Sequence, residues 1–218
     1  EYGDWKRRTN GERWGERGKL EVNYNLMVPR GAVLNDVETV NGSVTVSNFT
    51  NMTRVSAVNG MVKATNLRGT ASLSTVNGEV AADFDQLDKG SKISLETVNG
   101  RVNLSIPSDS SATIRAESLN GNITNDFSLP VRKGKYVGRD LYGRLGSGDT
   151  PIKLESVNGA LTISRKNDGK SLSPAKDMLP QKDKDDENWD EPDDEDMASV
   201  RSAKAERDIA RAVRAGSK

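Results

Sequence analysis

From Lys19 to Arg165 the chain runs in short stretches where every second residue is apolar. Examples are Ile93-Ser94-Leu95-Glu96-Thr97-Val98, Arg101-Val102-Asn103-Leu104 and Ala160-Leu161-Thr162-Ile163. A period of two marks a strand with one face buried. The residues involved, mostly Val, Ile, Leu, Thr and Ser, suit a pleated surface. No helical spacing interrupts this span, so it is expected to be all-β.

The stretches are punctuated by Asn-Gly pairs at Asn41-Gly42, Asn59-Gly60, Asn77-Gly78, Asn99-Gly100, Asn120-Gly121 and Asn158-Gly159, at intervals of 18, 18, 22, 21 and 38 residues. A fixed period near 20 residues means a repeat architecture. Columns can be read down the repeats. Three residues before Asn-Gly's preceding residue stand Val37, Val55, Leu73, Leu95, Ala116 and Leu154. The preceding residue itself is Val40, Val58, Val76, Val98, Leu119 or Val157, and just before it comes a small residue such as Thr39, Ala57 or Ser118. Two further apolar columns follow each pair, beginning at Val44 and Val46. Asn and Gly tolerate sharp corners. Such a pair closes either a two-residue hairpin, as in a meander or sandwich, or the corner of a β-solenoid. A hairpin would turn the Val40 column to solvent. Its uniform apolarity argues that it is buried, which favours a solenoid of about six to seven coils of ~18–22 residues, with the Asn-Gly pairs as structural turns.

Composition divides the chain into segments. Residues 1–18 mix Tyr2, Trp5 and Trp14 with five Lys or Arg, an arm expected to cap the first coil. Residues 19–165 form the repeat domain. Residues 166–196 read as a polar, then acidic, disordered linker, with ten acids between Asp183 and Asp196. Residues 197–218 read as a basic amphipathic helix or tail, with Arg201, Lys204, Arg207, Arg211 and Arg214 on one stripe. The start at Glu1 rather than Met implies a processed or truncated chain, consistent with a removed signal peptide.

Charge and chemistry narrow the functions. Lys and Arg number 32 and Asp and Glu 32, so no overall field favours nucleic acid. Cys and His are both 0, which removes thiol chemistry and the commonest base and metal ligand. No segment has the ~20 apolar residues of a transmembrane helix. No enzyme activity, cofactor or metal is expected; of the acids, Asp83, Asp85 and Asp88 are the nearest thing to a hydrolytic group. Asp126–Pro151 breaks the repeat, and its basic and aromatic residues Arg132, Lys133, Lys135, Tyr136, Arg139, Tyr142 and Arg144 are the candidate interaction patch, on a loop or hairpin that either protrudes to bind or is a structural excursion covering one sheet face.

Glu38-Thr39-Val40-Asn41-Gly42-Ser43-Val44, Glu96-Thr97-Val98-Asn99-Gly100 and Glu155-Ser156-Val157-Asn158-Gly159 resemble a bacterial, adhesin-labelled family of β-strand repeats, the domain of unknown function 4097. Val28-Pro29-Arg30-Gly31 is similar to the family's opening strand, and Asp126–Pro130 with Gly143–Gly148 to its closing region. The resemblance covers about 19–165 and implies an extracytoplasmic β-solenoid: cell envelope, periplasm or secreted. It supplies no catalytic or ligand residues. The expected function is a non-enzymatic surface scaffold that binds a protein or surface glycan. The alternative is a structural solenoid that polymerises end to end through self-association.

Overall fold

The computed structural model describes residues 22–134 and 137–179. The arm at 1–18, the acidic stretch and the helix expected at 197–218 lie outside the described residues. The chain divides into two units, Glu1–Asp177 and Met178–Lys218, and every strand below belongs to the first.

Period-two patterning produces strands in pairs, one on each side of an Asn-Gly corner. They are β1 (Leu34–Asn41) and β2 (Val44–Ser47), β3 (Thr53–Asn59) and β4 (Val62–Leu67), β5 (Ala71–Asn77) and β6 (Val80–Phe84). Then come β7 (Ile93–Asn99) and β8 (Val102–Ile106), β9 (Ala112–Ser118) and β10 (Ile123–Asn125). After the irregular stretch carrying β11 (Arg132–Lys133) and β12 (Arg139–Leu145) follow β13 (Thr150–Asn158), β14 (Leu161–Arg165) and β15 (Ala175–Asp177). The first member of each pair joins one sheet, ordered β1-β3-β5-β7-β13-β9-β12-β11, and the second joins another, ordered β10-β14-β8-β6-β4-β2. Pairing between coils is parallel throughout. Among the described residues the fold is an all-β solenoid of six stacked coils.

The coils do not stack in chain order. The last repeat, β13–β14, is inserted between the β7–β8 coil and the β9–β10 coil: β13 pairs with β7 on one side and β9 on the other. The 38-residue interval is therefore a cap followed by a return into the stack. β12 runs antiparallel along the far edge of β9, and the outer edge of β12 is in turn covered by β11 at one half and β15 at the other. Phe127 and Leu129 are buried against the end of the core. Asn125 organises this plug: its Oδ1 accepts from the Phe127 and Leu129 amides at 3.2 and 2.9 Å, and its Nδ2 donates to the Leu129 carbonyl at 2.8 Å. The excursion thus folds inward as an end cap rather than protruding, because its apolar residues complete the last coil's core.

The stretch expected as linker beyond Arg165 also departs from expectation as far as Asp177. Lys166 Nζ bridges Asp83 and Asp85, both at 2.8 Å. Ser108 donates from its amide to Asp168 at 3.0 Å and from its hydroxyl to the Lys166 carbonyl at 3.0 Å. Lys170 pairs with Asp109 at 2.8 Å, and β15 then closes on β12. Burial lowers the Lys166 pKa, but the bonds to Asp83 and Asp85 outweigh it and leave it raised. Burial likewise opposes ionisation of Asp168, and the bonds from Ser108 and Lys170 leave its pKa lowered.

The core lies between the sheets. Val55, Leu73, Leu95, Ala116 and Leu154 face it from the first sheet, and Val62, Val80, Val102 and Leu161 from the second. The column expected to be buried beside each corner is not. Val58, Val76, Val98 and Val157 are 40–41 % exposed, and Val40 and Leu119 more so. Strand parity is the reason: with Leu95 and Thr97 pointing inward, Val98 must point outward. The small residue takes the inward position. Thr75, Thr97, Ser156 and Ser118 are buried, and each hydroxyl donates to the corner glycine carbonyl of the neighbouring coil at 3.0–3.3 Å.

The corner itself is built by stacking. A Cβ on Gly60, Gly78, Gly100, Gly121 or Gly159 would lie 1.6–2.1 Å from the glycine carbonyl oxygen of the adjacent coil. Glycine is required for that close approach. The asparagine is required for a ladder: Asn59, Asn77, Asn99, Asn158 and Asn120 each donate from Nδ2 to the next asparagine's Oδ1, beginning at Asn41, at 2.8–3.0 Å. The left-handed asparagines are instead Asn48 (φ 64°), which follows β2, and Asn66 (φ 56°), at the register shift near the end of β4.

Candidate functional site

Three rows run along the outer face of the first sheet, perpendicular to its strands. Nearest the corner is the exposed aliphatic row: Val40, Val58, Val76, Val98, Val157 and Leu119 in spatial order. Beside it the strand register aligns Glu38, Ser56, Ser74, Glu96, Glu155, Glu117 and Asp140. The third row is Arg54, Ser72, Ser94, Lys153, Arg115 and Tyr142. Neighbouring strands lie ~4.8 Å apart, so each row repeats at that spacing.

The aliphatic and acidic rows line one open groove of about 830 Å³, which reaches from Glu38 and Val40 at one end to Val137, Gly138 and Asp140 at the other. Its floor is apolar and one wall is acidic. A single exposed valine on a strand is unremarkable, but a contiguous row of six aliphatics marks a surface that can be covered.

Part of the acidic wall is neutralised from the third row. Lys153 Nζ lies 2.8 Å from Glu155 and 3.6 Å from Glu96, and its hydrogen bond to Glu155 raises its pKa. Arg115 pairs with Glu117, which raises its pKa in the same way. Glu38 accepts from the Ser56 hydroxyl at 3.3 Å. These exposed pairs order the side chains more than they stabilise the fold.

The described members of the predicted basic-aromatic patch lie on β11 and β12 and are engaged by different partners. Lys135 and Tyr136 lie outside the described residues. Arg132 is engaged by Asp177 at 2.8 Å, and Arg139 donates to the Asn122 side chain. Lys133 is exposed on β11. Tyr142 and Arg144 share the sheet's outer face, registered to Arg115 and Thr113. Arg144 Nε is buried, and no hydrogen-bond partner for it lies among the described residues. Asp83 and Asp85 converge on Lys166, and the Asp88 carbonyl accepts from Thr150 at 3.2 Å, so these acids tie coils and tail together. The Asn-Gly residues stand at the corners, with Asn41 to Asn158 forming one edge beyond the valine row.

The groove was missed from sequence although its signal was present. Glutamate recurs two residues before the valine column at Glu38, Glu96, Glu117 and Glu155, on the same strand face. Reading the valines as core hid that pairing.

Among the described residues no helix is long and apolar enough to cross a membrane. No curated protein and no solved structure matches the chain. The family profile described as Toastrack DUF4097 matches residues 34–164, from the first strand of the first coil to the last strand of the inserted one. With that span covering 131 of 218 residues, the chain belongs to the Toastrack DUF4097 family.

Proposed function

We propose that this domain is a non-enzymatic binding scaffold of the bacterial cell envelope, and that its groove docks an extended protein segment rich in aliphatic and basic residues. The observation that carries the reading is the exposed aliphatic row running the length of the stack beside an acidic wall. An extended segment laid across the rungs would cover valines with its apolar side chains, bring cations to Glu38 and Asp140, and compete with Lys153 and Arg115 for the other glutamates. Among the described residues the groove lining contains no aromatic ring, which favours a protein segment over a stacked sugar. The scaffold's rigidity serves this reading, because a preorganised surface loses little entropy on binding.

A display library of random extended peptides, selected against the purified protein, tests it. Enrichment of sequences alternating aliphatic and basic residues is expected, and a Val76→Glu/Val98→Glu variant should lose that enrichment. Selection of the same peptides by both proteins, or binding to a glycan array that the variant retains, would remove the groove from the account.

A further inference from the structure

The two ends of the stack are finished differently. The β9 end is closed by β12, β11 and β15 and plugged by Phe127 and Leu129. At the other end, among the described residues, β1 pairs only with β3 and β2 only with β4, so both stand as sheet edges. Gly42 differs from the other corner glycines in kind: among the described residues a Cβ there would meet only Thr39 Oγ1, at 3.4 Å, with no carbonyl beneath. Asn41 ends the amide ladder. The first coil is thus an unfilled template for one more strand.

A strand of suitable chemistry lies just upstream. Val22, Tyr24, Leu26 and Val28 alternate with Asn23, Asn25 and Met27. The segment has seven residues, the length of β3, β5 and β7, and carries no charge. It belongs to no sheet, and it is exposed throughout, with Tyr24 at 85 %, Leu26 at 80 % and Met27 at 98 %. The Pro29–Ala32 turn that follows is already formed, with the Ala32 amide on the Pro29 carbonyl at 3.0 Å. It is pinned to the loop after β2: the Thr50 amide donates to the Arg30 carbonyl at 3.1 Å and Asn51 Nδ2 to the Gly31 carbonyl at 2.7 Å. Even with this turn in place the segment stays off its own β1, so among the described residues both the segment and the edge lack a partner strand.

We infer that the β1 edge receives the Val22–Val28 segment of a second copy of this chain, and that the exchange is reciprocal. Two β1 edges are poorly suited to each other, because antiparallel pairing would set Asp36 and Glu38 against the same acids of the partner. The uncharged segment has no such conflict and offers an apolar alternation to cover Leu34 and Val37, which are only half-buried. Donor segment and acceptor edge sit at the same end of the molecule. Mutual exchange therefore closes on itself as a two-fold dimer, and the capped ends point away. This rests on the open end and is independent of the groove's ligand.

The absence of cysteine makes the test clean. Full-length Asn25→Cys/Glu38→Cys and Asn25→Cys/Asp36→Cys variants, which cover two adjacent registers, are oxidised or treated with a short bis-maleimide. A covalent dimer in at least one of them is expected, together with a light-scattering mass twice the 23.7 kDa of one chain for the unmodified protein. Tyr24→Pro, which removes a strand amide, should return a monomer whose solenoid unfolds as before. A monomer at every soluble concentration, a cross-link confined to one chain, or an open-ended ladder of polymers would each overturn the inference.

Discussion

Replacing Gly100 by alanine would place a Cβ 1.7 Å from the Gly78 carbonyl oxygen and 2.6 Å from its carbon. A tolerable contact needs at least 3.0 Å, so the corner must open by about 1.3 Å (3.0 minus 1.7). Three hydrogen bonds cross that gap: Gly78 amide to Asn99 carbonyl at 3.0 Å, Asn99 Nδ2 to Asn77 Oδ1 at 2.9 Å, and Thr97 hydroxyl to the Gly78 carbonyl at 3.3 Å. At ~1 kcal/mol net for each, their loss costs about 3 kcal/mol. The backbone conformation adds to this, but it can be subtracted. Gly42 has nearly the same φ, +155° against +159° for Gly100, with only Thr39 Oγ1 near its would-be Cβ. Gly42→Ala should therefore cost only the conformational part, about 1–2 kcal/mol, and Gly100→Ala about 3 kcal/mol more. Urea unfolding of both variants beside the parent measures the difference. Equal losses would show that the corner selects glycine for its φ alone and that the stacked carbonyl has no part in it.

Two further outcomes follow from the topology and the clasp. A chain ending at Gly138 should lose the β9–β10 coil as well as its own missing strands, since β9 has parallel contact only with β13; hydrogen exchange should find 112–125 unprotected while 53–106 stays protected, and protection of 112–125 would mean that β9 can dock directly on β7. The Lys166 clasp should fail only on the alkaline side. Because its folded pKa is raised, its stabilisation is complete below the unfolded lysine value of ~10.4 and disappears as pH climbs through the higher folded value; parent and Lys166→Met unfolding curves should differ by a constant amount at neutral pH and converge once pH has passed the raised folded value, and a gap that persists there would reassign the effect to packing.

Much of the solenoid could be read from the chain because stacking writes itself into columns. Leu73, Leu95 and Leu154 recur where they meet in register, and Val62, Val80 and Val102 do the same in the second sheet. The valine column misled for a physical reason. Identity down a column reports that equivalent side chains touch between rungs, and β-branched residues stack equally well inside and outside a sheet. Parity held the answer: Thr97 inward forces Val98 outward. The hydroxyl column was legible as small but not as a donor, since the acceptor is a carbonyl one coil away. The coil order left no mark at all. A gap of 38 residues fits a lost corner as well as a cap and a return between β7 and β9. For the site, the glutamate column was available, whereas the division of Arg132, Arg139, Tyr142 and Arg144 among separate tasks depends on β15 and Asn122, which no local pattern announces.

The groove can be tested at the two central rungs. Docking would cover the remaining 41 % of Val76 and of Val98. Full burial of a valine contributes ~1.5–3 kcal/mol, so the two residual portions together supply about 1.2–2.4 kcal/mol, on the order of tenfold or more in affinity. The measurement is the dissociation constant of a selected aliphatic-basic peptide for the parent protein and for Val76→Ser/Val98→Ser, with the melting temperatures of both recorded. Binding at least about tenfold weaker in the variant, with the solenoid still folded, is the predicted result; an unchanged dissociation constant would contradict the claim that this row is the docking surface.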